Sequence, residues 1–258
     1  MESNYLDFCF ESTSLNPYYN LALEDSILRN PLYHNQKVLM IWRSQPCVVL
    51  GRFQNPWLEC DLKECKRDAV SIVRRQSGGG TVYHDLGNLN ISFIGNIKKE
   101  LNFKLVLDCL ASLGINLEIN ERNDLLYEGL KVSGSAFKNI KGSALHHLTL
   151  LISTPLENVR KYLHHTQLEI ETKSIKSKRS EMLKLGDVKD NLIAELTNAF
   201  LKKSPNEFCY EKLEVLKEEY FSSREWIYGE TPKFSVESGG DRSVIEKGRD
   251  QNGKWFPF

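Results

Sequence analysis

No stretch of this sequence is apolar for long enough to cross a bilayer. Its longest candidates, Cys47 to Leu50 and Leu148 to Ile152, fall far short of the ~18 residues a span needs. Charge of one sign is equally lacking, since 34 Lys+Arg face 34 Asp+Glu and the formal net charge is zero. Nucleic-acid and membrane-surface binding usually show as a basic excess, so neither partner is expected. The first residues lack the apolar core of a secretory signal, being interrupted by Glu2, Asp7 and Glu11. They also lack the arginines of a mitochondrial presequence, the first being Arg29. The six cysteines, Cys9, Cys47, Cys60, Cys65, Cys109 and Cys209, follow no framework spacing and are read as reduced thiols. Cys60 and Cys65 have no second Cys or His pair to complete a zinc site, so no metal is expected.

What is present suits a globular chain. Its 258 residues are 41% hydrophobic and 26% charged, enough to bury a sizeable core. Asn16-Pro17 reads as an N-cap with proline at the first helical position, opening a helix that ends near Asn30. Val38 to Trp42, Cys47 to Leu50 and Val70 to Val73 read as strands, with a surface helix over Glu59 to Asp68. Thr81 to His84 and Leu89 to Ile94 read as strands of a hairpin turned at Asp85-Leu86-Gly87-Asn88. Phe103, Val106, Leu107, Leu110 and Leu113 have helical spacing, and Gly114 supplies a stop. Further strands are expected at Leu117 to Asn120, Leu125 to Tyr127, Leu130 to Phe137 and Ala144 to Ser153. Thr154-Pro155-Leu156-Glu157 has capping-box spacing, and a last helix spans about Asp187 to Lys203 on Val188, Leu192, Leu196 and Phe200. Ile170 to Lys184 is basic and reads as a mobile loop, and the final 25 or so residues offer little to build a core from. The fold class is α+β, a central mixed sheet flanked by helices.

Chemistry concentrates in Arg74-Arg75-Gln76-Ser77-Gly78-Gly79-Gly80-Thr81-Val82-Tyr83-His84-Asp85. Three glycines after a strand let the backbone approach a ligand and offer amide N–H groups to anionic oxygens, and the two arginines can fork onto a carboxylate or phosphate. Neither the Walker pattern nor the dinucleotide fingerprint fits, because these glycines open another strand. A plain glycine turn is the alternative. A second cluster comprises Asn123-Asp124 and Lys131-Val132-Ser133-Gly134-Ser135-Ala136. Lys131, oriented by Asp124, would neutralise a phosphate and polarise an acyl carbonyl; otherwise it is a strand lysine facing water. His146 and His147, adjacent on a strand, point to opposite faces and cannot jointly chelate one metal, so one faces the core or a pocket. His164 and His165 are read as surface residues.

Taken in order, these motifs resemble the lipoate–protein ligase and lipoyltransferase family. The likeness starts at Leu50-Gly51-Arg52-Phe53-Gln54-Asn55-Pro56-Trp57-Leu58-Glu59-Cys60 and continues through Arg74 to Asn88, Asn123-Asp124, Lys131 to Ala136 and His146-His147-x-Thr149-Leu150-Leu151. Glu225-Trp226-Ile227-Tyr228-Gly229-x-Thr231-Pro232-Lys233-Phe234 resembles the eukaryotic mitochondrial branch in particular. The resemblance implies a fold like the biotin and lipoate protein ligases. It implies that Arg75 and the Gly78–Gly80 backbone hold the lipoyl tail and the acyl-phosphate side of lipoyl-AMP. Asn88 would meet the nucleotide end, the catalytic Lys131 the oxygens between them, and His147 or His146 the acyl pocket. Thr81, Tyr83, His84, Asp124, Ser133, Ser135, Ala136 and Lys138 complete the implied substrate-binding set. A pocket between the glycine loop and the Lys131 strand is expected.

The pattern departs from the ligases in three places. Lys138 replaces an arginine, Lys176-Ser177-Lys178 replaces an arginine-containing loop, and residues 226–258 read as a stub of a C-terminal accessory domain behind a catalytic domain of residues 1–225. Lysines give up the bidentate fork. The expectation is therefore a monomeric lipoyltransferase that takes the lipoyl group from lipoyl-AMP or a lipoylated carrier, without a tightly bound cofactor. Its implied acceptors are lipoyl domains of 2-oxoacid dehydrogenase E2 subunits and the glycine cleavage H protein, and its implied location is the mitochondrial matrix. The alternatives are a ligase that uses ATP and Mg to activate free lipoate, and a non-catalytic lipoyl-domain-binding module.

Overall fold

A computed structural model of the chain describes residues 5–163, 169–187, 191–203, 206, 208, 215, 218–238 and 241–257. Val188, His164, His165 and Cys209 lie outside these described residues. The chain forms two compact units, each assembled from three separated stretches. The first takes Met1–Gln45, Asp85–Thr154 and Ser180–Leu216; the second takes Pro46–His84, Pro155–Arg179 and Lys217–Phe258. The boundary expected at residue 225 thus falls inside the last stretch of the second unit. No helix among the described residues is long and apolar enough to cross a membrane.

The first unit is organised by a five-stranded mixed sheet. Phe8–Glu11 runs parallel to Lys37–Trp42, which pairs antiparallel with Asn88–Gly95. Ser143–Leu151 and then Ser135–Ile140 follow, each antiparallel to its neighbour. Asn88–Gly95 alternates polar and apolar residues, yet all eight are buried. Leu89, Ile91 and Phe93 enter the core with Phe103, Val106 and Leu110 of helix Lys99–Ser112 and Leu196 and Phe200 of helix Leu192–Leu201. Asn88, Asn90 and Ser92 occupy the opposite face, because successive side chains of a strand alternate. A covered polar face must satisfy its hydrogen bonds internally. Helix Pro17–Arg29 supplies partners to that face, and Asn16 caps it as expected, its side chain accepting from the Tyr18 and Tyr19 amides at 2.9 and 3.4 Å. A small antiparallel sheet of Glu118–Ile119, Leu125–Tyr127 and Leu130–Ser133 carries Lys131.

The second unit holds two three-stranded sheets. Cys47–Leu50 is central to one, parallel to Ser71–Arg74 and antiparallel to Val82–His84, with helices Pro56–Glu59 and Leu62–Arg67 in the crossover. Glu169–Thr172, Phe234–Ser238 and Asp241–Ile245 form the other. The tail therefore does contribute to a core, contrary to its composition. Phe234, Val236 and Ile245 are buried, and Trp57 packs on Phe234 and Phe256 with ring centres 5.3 and 5.5 Å apart.

Three other local expectations are corrected. The Asp85–Asn88 turn joins strands of different sheets rather than a hairpin. Asp85 accepts from the Gly87 amide at 2.9 Å and from the Thr154 hydroxyl at 2.5 Å, while the Gly87 carbonyl takes the Ile152 and Ser153 amides. That use of Thr154 also removes the expected capping box: helix Leu156–Tyr162 starts after Pro155 with no side-chain cap. Leu130 to Phe137 is broken at Gly134 into two strands of different sheets.

Candidate functional site: a glycine loop, a paired lysine and a buried carboxylate

The two arginines before the glycines face different tasks, both in the second unit. Arg74 is fully buried and donates to the carbonyls of Gly51, Arg52, Gln54, Trp226 and Ile227 and to the Thr231 hydroxyl. It is a structural cation, not a ligand fork. Arg75 donates to the carbonyls of Gly78 at 2.6 Å, Gly80 at 2.8 Å and Val49 at 3.2 Å, and to the Ser77 hydroxyl at 3.0 Å. Its fork thereby shapes the loop. The amides of Gly78, Gly79 and Gly80 make no hydrogen bond among the described residues, so these donors stay open while two of their carbonyls are tied. Gly79 has φ +86°, a conformation that disfavours any side chain, and its carbonyl lies where a Cβ on Gly51 would come within 2.1 Å. Thr81 donates its hydroxyl to Gln54 at 2.6 Å and its amide to Ser177 at 2.9 Å. Tyr83 stacks on Tyr162, and His84 is buried opposite Cys47.

Lys131 belongs to the first unit. Its ammonium lies 2.7 Å from Asp124, whose other oxygen meets Arg122 at 3.0 Å. Asp124 is nearly buried, whereas the Lys131 side chain keeps a quarter of its surface exposed. A Cβ on Gly134 would come 3.4 Å from the amine, so glycine there leaves the lysine head room. The Lys131 backbone is fixed as well, donating to Glu181 at 2.9 Å and accepting from Leu183 at 3.0 Å. Ser135 donates to the Asn123 carbonyl, and the buried Ser133 hydroxyl has no partner among the described residues. Asn88, Asp124, Lys131, Ser133, Ser135, Ala136, Lys138 and His147 thus fall in the first unit, and Arg75 to His84 in the second.

His146 and His147 point to opposite faces, as their adjacency on a strand requires. Register puts His147 beside Ser92 and Ala136, the latter two residues before Lys138 on the same strand face. Its Nδ1 lies 3.2 Å from the buried Glu24 carboxylate, which also accepts from Trp42 Nε1 at 3.2 Å and from the Ser92 hydroxyl. Asn88 donates to Asn90, and Asn90 to the Trp42 carbonyl. His146 instead enters the aromatic core, stacked on Phe137 at 4.3 Å and beside Phe93 and Phe103. Asn102 donates to its Nδ1 at 3.1 Å, fixing the proton on Nε2. Burial pushes this imidazole down to about 3, with His147 and Lys99 adding.

That shift makes stability pH-dependent. Histidine in the unfolded chain titrates near 6.5, so below that pH the unfolded state binds a proton the folded state refuses. Stability is fully present above 6.5 and is lost as pH falls toward 3, with a slope from this group of about 1.4 kcal/mol per pH unit. His146→Phe, which suits the aromatic stack, removes this slope. Urea midpoints of both proteins between neutral and mildly acidic pH check it; parallel pH profiles would contradict it.

The family profile of the lipoyl protein ligase A/B catalytic domain matches residues 16–204, which includes all of these clusters. The chain belongs to this family. Lipoate-protein ligase A of Bdellovibrio bacteriovorus is 39% identical over 248 residues, covering 88% of this chain and 73% of the relative. Lipoate-protein ligase A of Blochmanniella floridana is 35% identical over 246 residues, covering 87% and 73%. Among solved structures, LipL1 of P. falciparum in complex with lipoate superposes with a TM-score of 0.72 at 27% identity, covering 95% of this chain and 82% of that one. Lipoate-protein ligase A bound with ATP gives 0.69 at 25% identity, covering 88% and 98%. The chain is an enzyme of the lipoyl protein ligase family, with the α+β fold of its catalytic domain.

Several polar residues of these clusters have roles that the motifs do not show. Glu24 carried a signal: it follows Leu21 by three residues and precedes Leu28 by four, placing an acid on the apolar stripe of its helix. Gln54 and Glu59 stand in the first stretch of the family likeness and Ser177 in the loop that departs from it, but nothing local showed their roles, because their partners lie far away in sequence. Ile170 to Lys184 is not the free loop its composition suggests. It starts as a strand, is bonded through Ile175 and Ser177, and pairs with Lys131 at Met182. The five described cysteines are buried thiols; Cys60 donates to the Pro56 carbonyl, and burial raises it.

Proposed function

We propose that this enzyme forms an amide between a lipoyl group and the side-chain amine of a lysine on a lipoyl domain, with lipoyl-AMP as immediate donor. The observation that carries the reading is the Lys131 ammonium, held by Asp124, partly open and standing over a glycine. The names of the relatives support lipoate as the acyl group and protein as its destination. An acceptor lysine is mostly protonated near neutral pH and therefore a modest nucleophile. It needs an acyl group with a good leaving group. Once the acceptor ammonium has released one proton to solvent, the lone pair of the neutral amine attacks the acyl carbon, the C–N bond forms, the nitrogen gives up a second proton to solvent, and the C–O bond to phosphate breaks. AMP departs with that electron pair. Lys131 stabilises the charge that develops on the oxygens, and the open amides of Gly78 to Gly80 suit anionic oxygens of the donor. His147 and Glu24 supply polar contacts on the sheet face opposite the aromatic core. E2 lipoyl domains and the glycine cleavage H protein are the proposed acceptors, and the Glu225–Phe234 motif makes the mitochondrial matrix the proposed location.

A second reading is that the enzyme also makes the adenylate from free lipoate and ATP. The relatives named as ligases, and the similar structure bound with ATP, favour it. Lysines at positions 138, 176 and 178 weigh the other way, because an in-line displacement on a triphosphate favours closely spaced forks. Initial rates on one apo lipoyl domain, with lipoyl-AMP or with lipoate plus Mg-ATP, separate the two. Faster transfer from lipoyl-AMP is expected; equal or faster rates from lipoate plus Mg-ATP would establish the ligase.

A further inference from the structure

The segment Ile175–Ser177 is fastened to the glycine loop by an internal network in which every hydrogen-bonding capacity of one serine hydroxyl is used. The Ser177 hydroxyl donates to Glu59 and accepts from Gln54 Nε2 at 3.0 Å and from the Thr81 amide at 2.9 Å. One donor and two acceptor sites are all a hydroxyl has. The Ser177 amide donates to both Glu59 oxygens, at 3.2 and 3.3 Å. Gln54 is equally saturated. Its Nε2 also donates to the Ile175 carbonyl at 3.3 Å, and its Oε1 accepts from the Gly51 amide at 3.0 Å and the Thr81 hydroxyl at 2.6 Å. The Ile175 amide donates in turn to the Phe53 carbonyl. Glu59 is 4% exposed and Gln54 is fully buried, so neither can readily exchange these partners for water. A Cβ on Gly80 would lie 3.1 Å from the Ser177 hydroxyl, so the serine sits directly against the loop.

From this network we propose that Glu59 and Gln54 are positioning residues. Acting through Ser177, they hold residues 175–177 on the glycine loop and so set the enzyme's affinity for the acyl-adenylate. Arg75 ties the loop carbonyls and Ser177 takes the Thr81 amide, so the three open amides between them are fixed from both ends. The carboxylate is the anchor: it alone receives both the amide and the hydroxyl of Ser177. This inference rests on the acyl-adenylate reading for its consequence but not for the fastening itself, and the two are measured separately.

The exposed Lys176, Lys178 and Arg179 flank the anchor and provide tryptic sites on it. In the full-length Glu59→Gln variant, cleavage after these residues should be about tenfold faster than in wild type, as local opening becomes cheaper. Ser177→Ala should behave alike, and Ser177→Thr, which keeps the hydroxyl, should restore slow cleavage. A thermal unfolding midpoint close to wild type keeps the result from reflecting a misfolded variant. Calorimetric titration with lipoyl-AMP should show about tenfold weaker binding for Glu59→Gln, the loss of roughly one charge-assisted hydrogen bond. Unchanged cleavage in a folded Glu59→Gln protein would overturn the fastening. Faster cleavage with unchanged lipoyl-AMP affinity would overturn the positioning role. Failure of the wild type itself to bind lipoyl-AMP would instead refute the acyl-adenylate reading, and with it the consequence claimed for the loop, while the cleavage rates still decide the fastening.

Discussion

Arg74→Met should cost roughly 3–5 kcal/mol of stability, as several buried acceptors lose their donor at about 1–3 kcal/mol each. The guanidinium is fully buried and satisfies five backbone carbonyls and the Thr231 hydroxyl. Trp226 reciprocates by donating its indole N–H to the Arg74 carbonyl at 2.7 Å. Burial pushes the guanidinium down to about 9, with Arg52 adding, which leaves it charged at neutral pH. Methionine would fill much of the volume and offer no donor, so carbonyls from two separate stretches of the chain would be buried without partners. Against a typical total of about 5–15 kcal/mol, that loss approaches unfolding. Arg74→Lys keeps the charge but cannot span all the acceptors, and should fall between. Urea midpoints decide the matter, and a methionine variant within about 1 kcal/mol of wild type would contradict the structural role.

Lys131→Ala should leave the protein folded and slow acyl transfer by ~100–1000-fold, about 2.7–4 kcal/mol of barrier. Its side chain is partly exposed and contributes little to the core. Removing it does not strand Asp124, because Arg122 remains 3.0 Å from that carboxylate. What goes is a charge positioned for the oxygens on which negative charge develops. Lys131→Arg retains charge, but a planar fork cannot replace a compact ammonium packed over Gly134. Single-turnover rates with saturating lipoyl-AMP isolate the chemical step, and near-normal rates from a folded alanine variant would remove Lys131 from the mechanism.

Short-range physics was legible in the sequence. Asn16-Pro17 announced a helix, Gly114 ended another with φ +85°, and the adjacency of His146 and His147 dictated opposite faces. The glycine run and the Lys131 cluster stood out because small residues beside cations are rare without a reason. What stayed hidden depends on partners distant in the chain. Arg74 and Arg75 look equivalent in sequence, but alternation on the strand end sends one among carbonyls near residue 227 and the other onto the loop itself. Thr154 satisfies a capping pattern yet is claimed by Asp85. The apparent hairpin at Asp85 fails because its two strands find distant partners in different sheets, Val82–His84 on Cys47–Leu50 and Asn88–Gly95 on Lys37–Trp42. Ser177 lies in a stretch whose lysines suggest solvent, and only its contact with a buried glutamate gives it a fixed place.

The central claim is that this enzyme transfers a lipoyl group to a lysine of a lipoyl domain, and intact mass spectrometry of one apo lipoyl domain tests it most directly. Incubation with the enzyme and lipoyl-AMP should add the mass of a single lipoyl group, localised by peptide mapping to the acceptor lysine and absent when that lysine is changed to arginine. An acceptor of unchanged mass, under conditions where the enzyme is folded and the lipoyl-AMP intact, would contradict it.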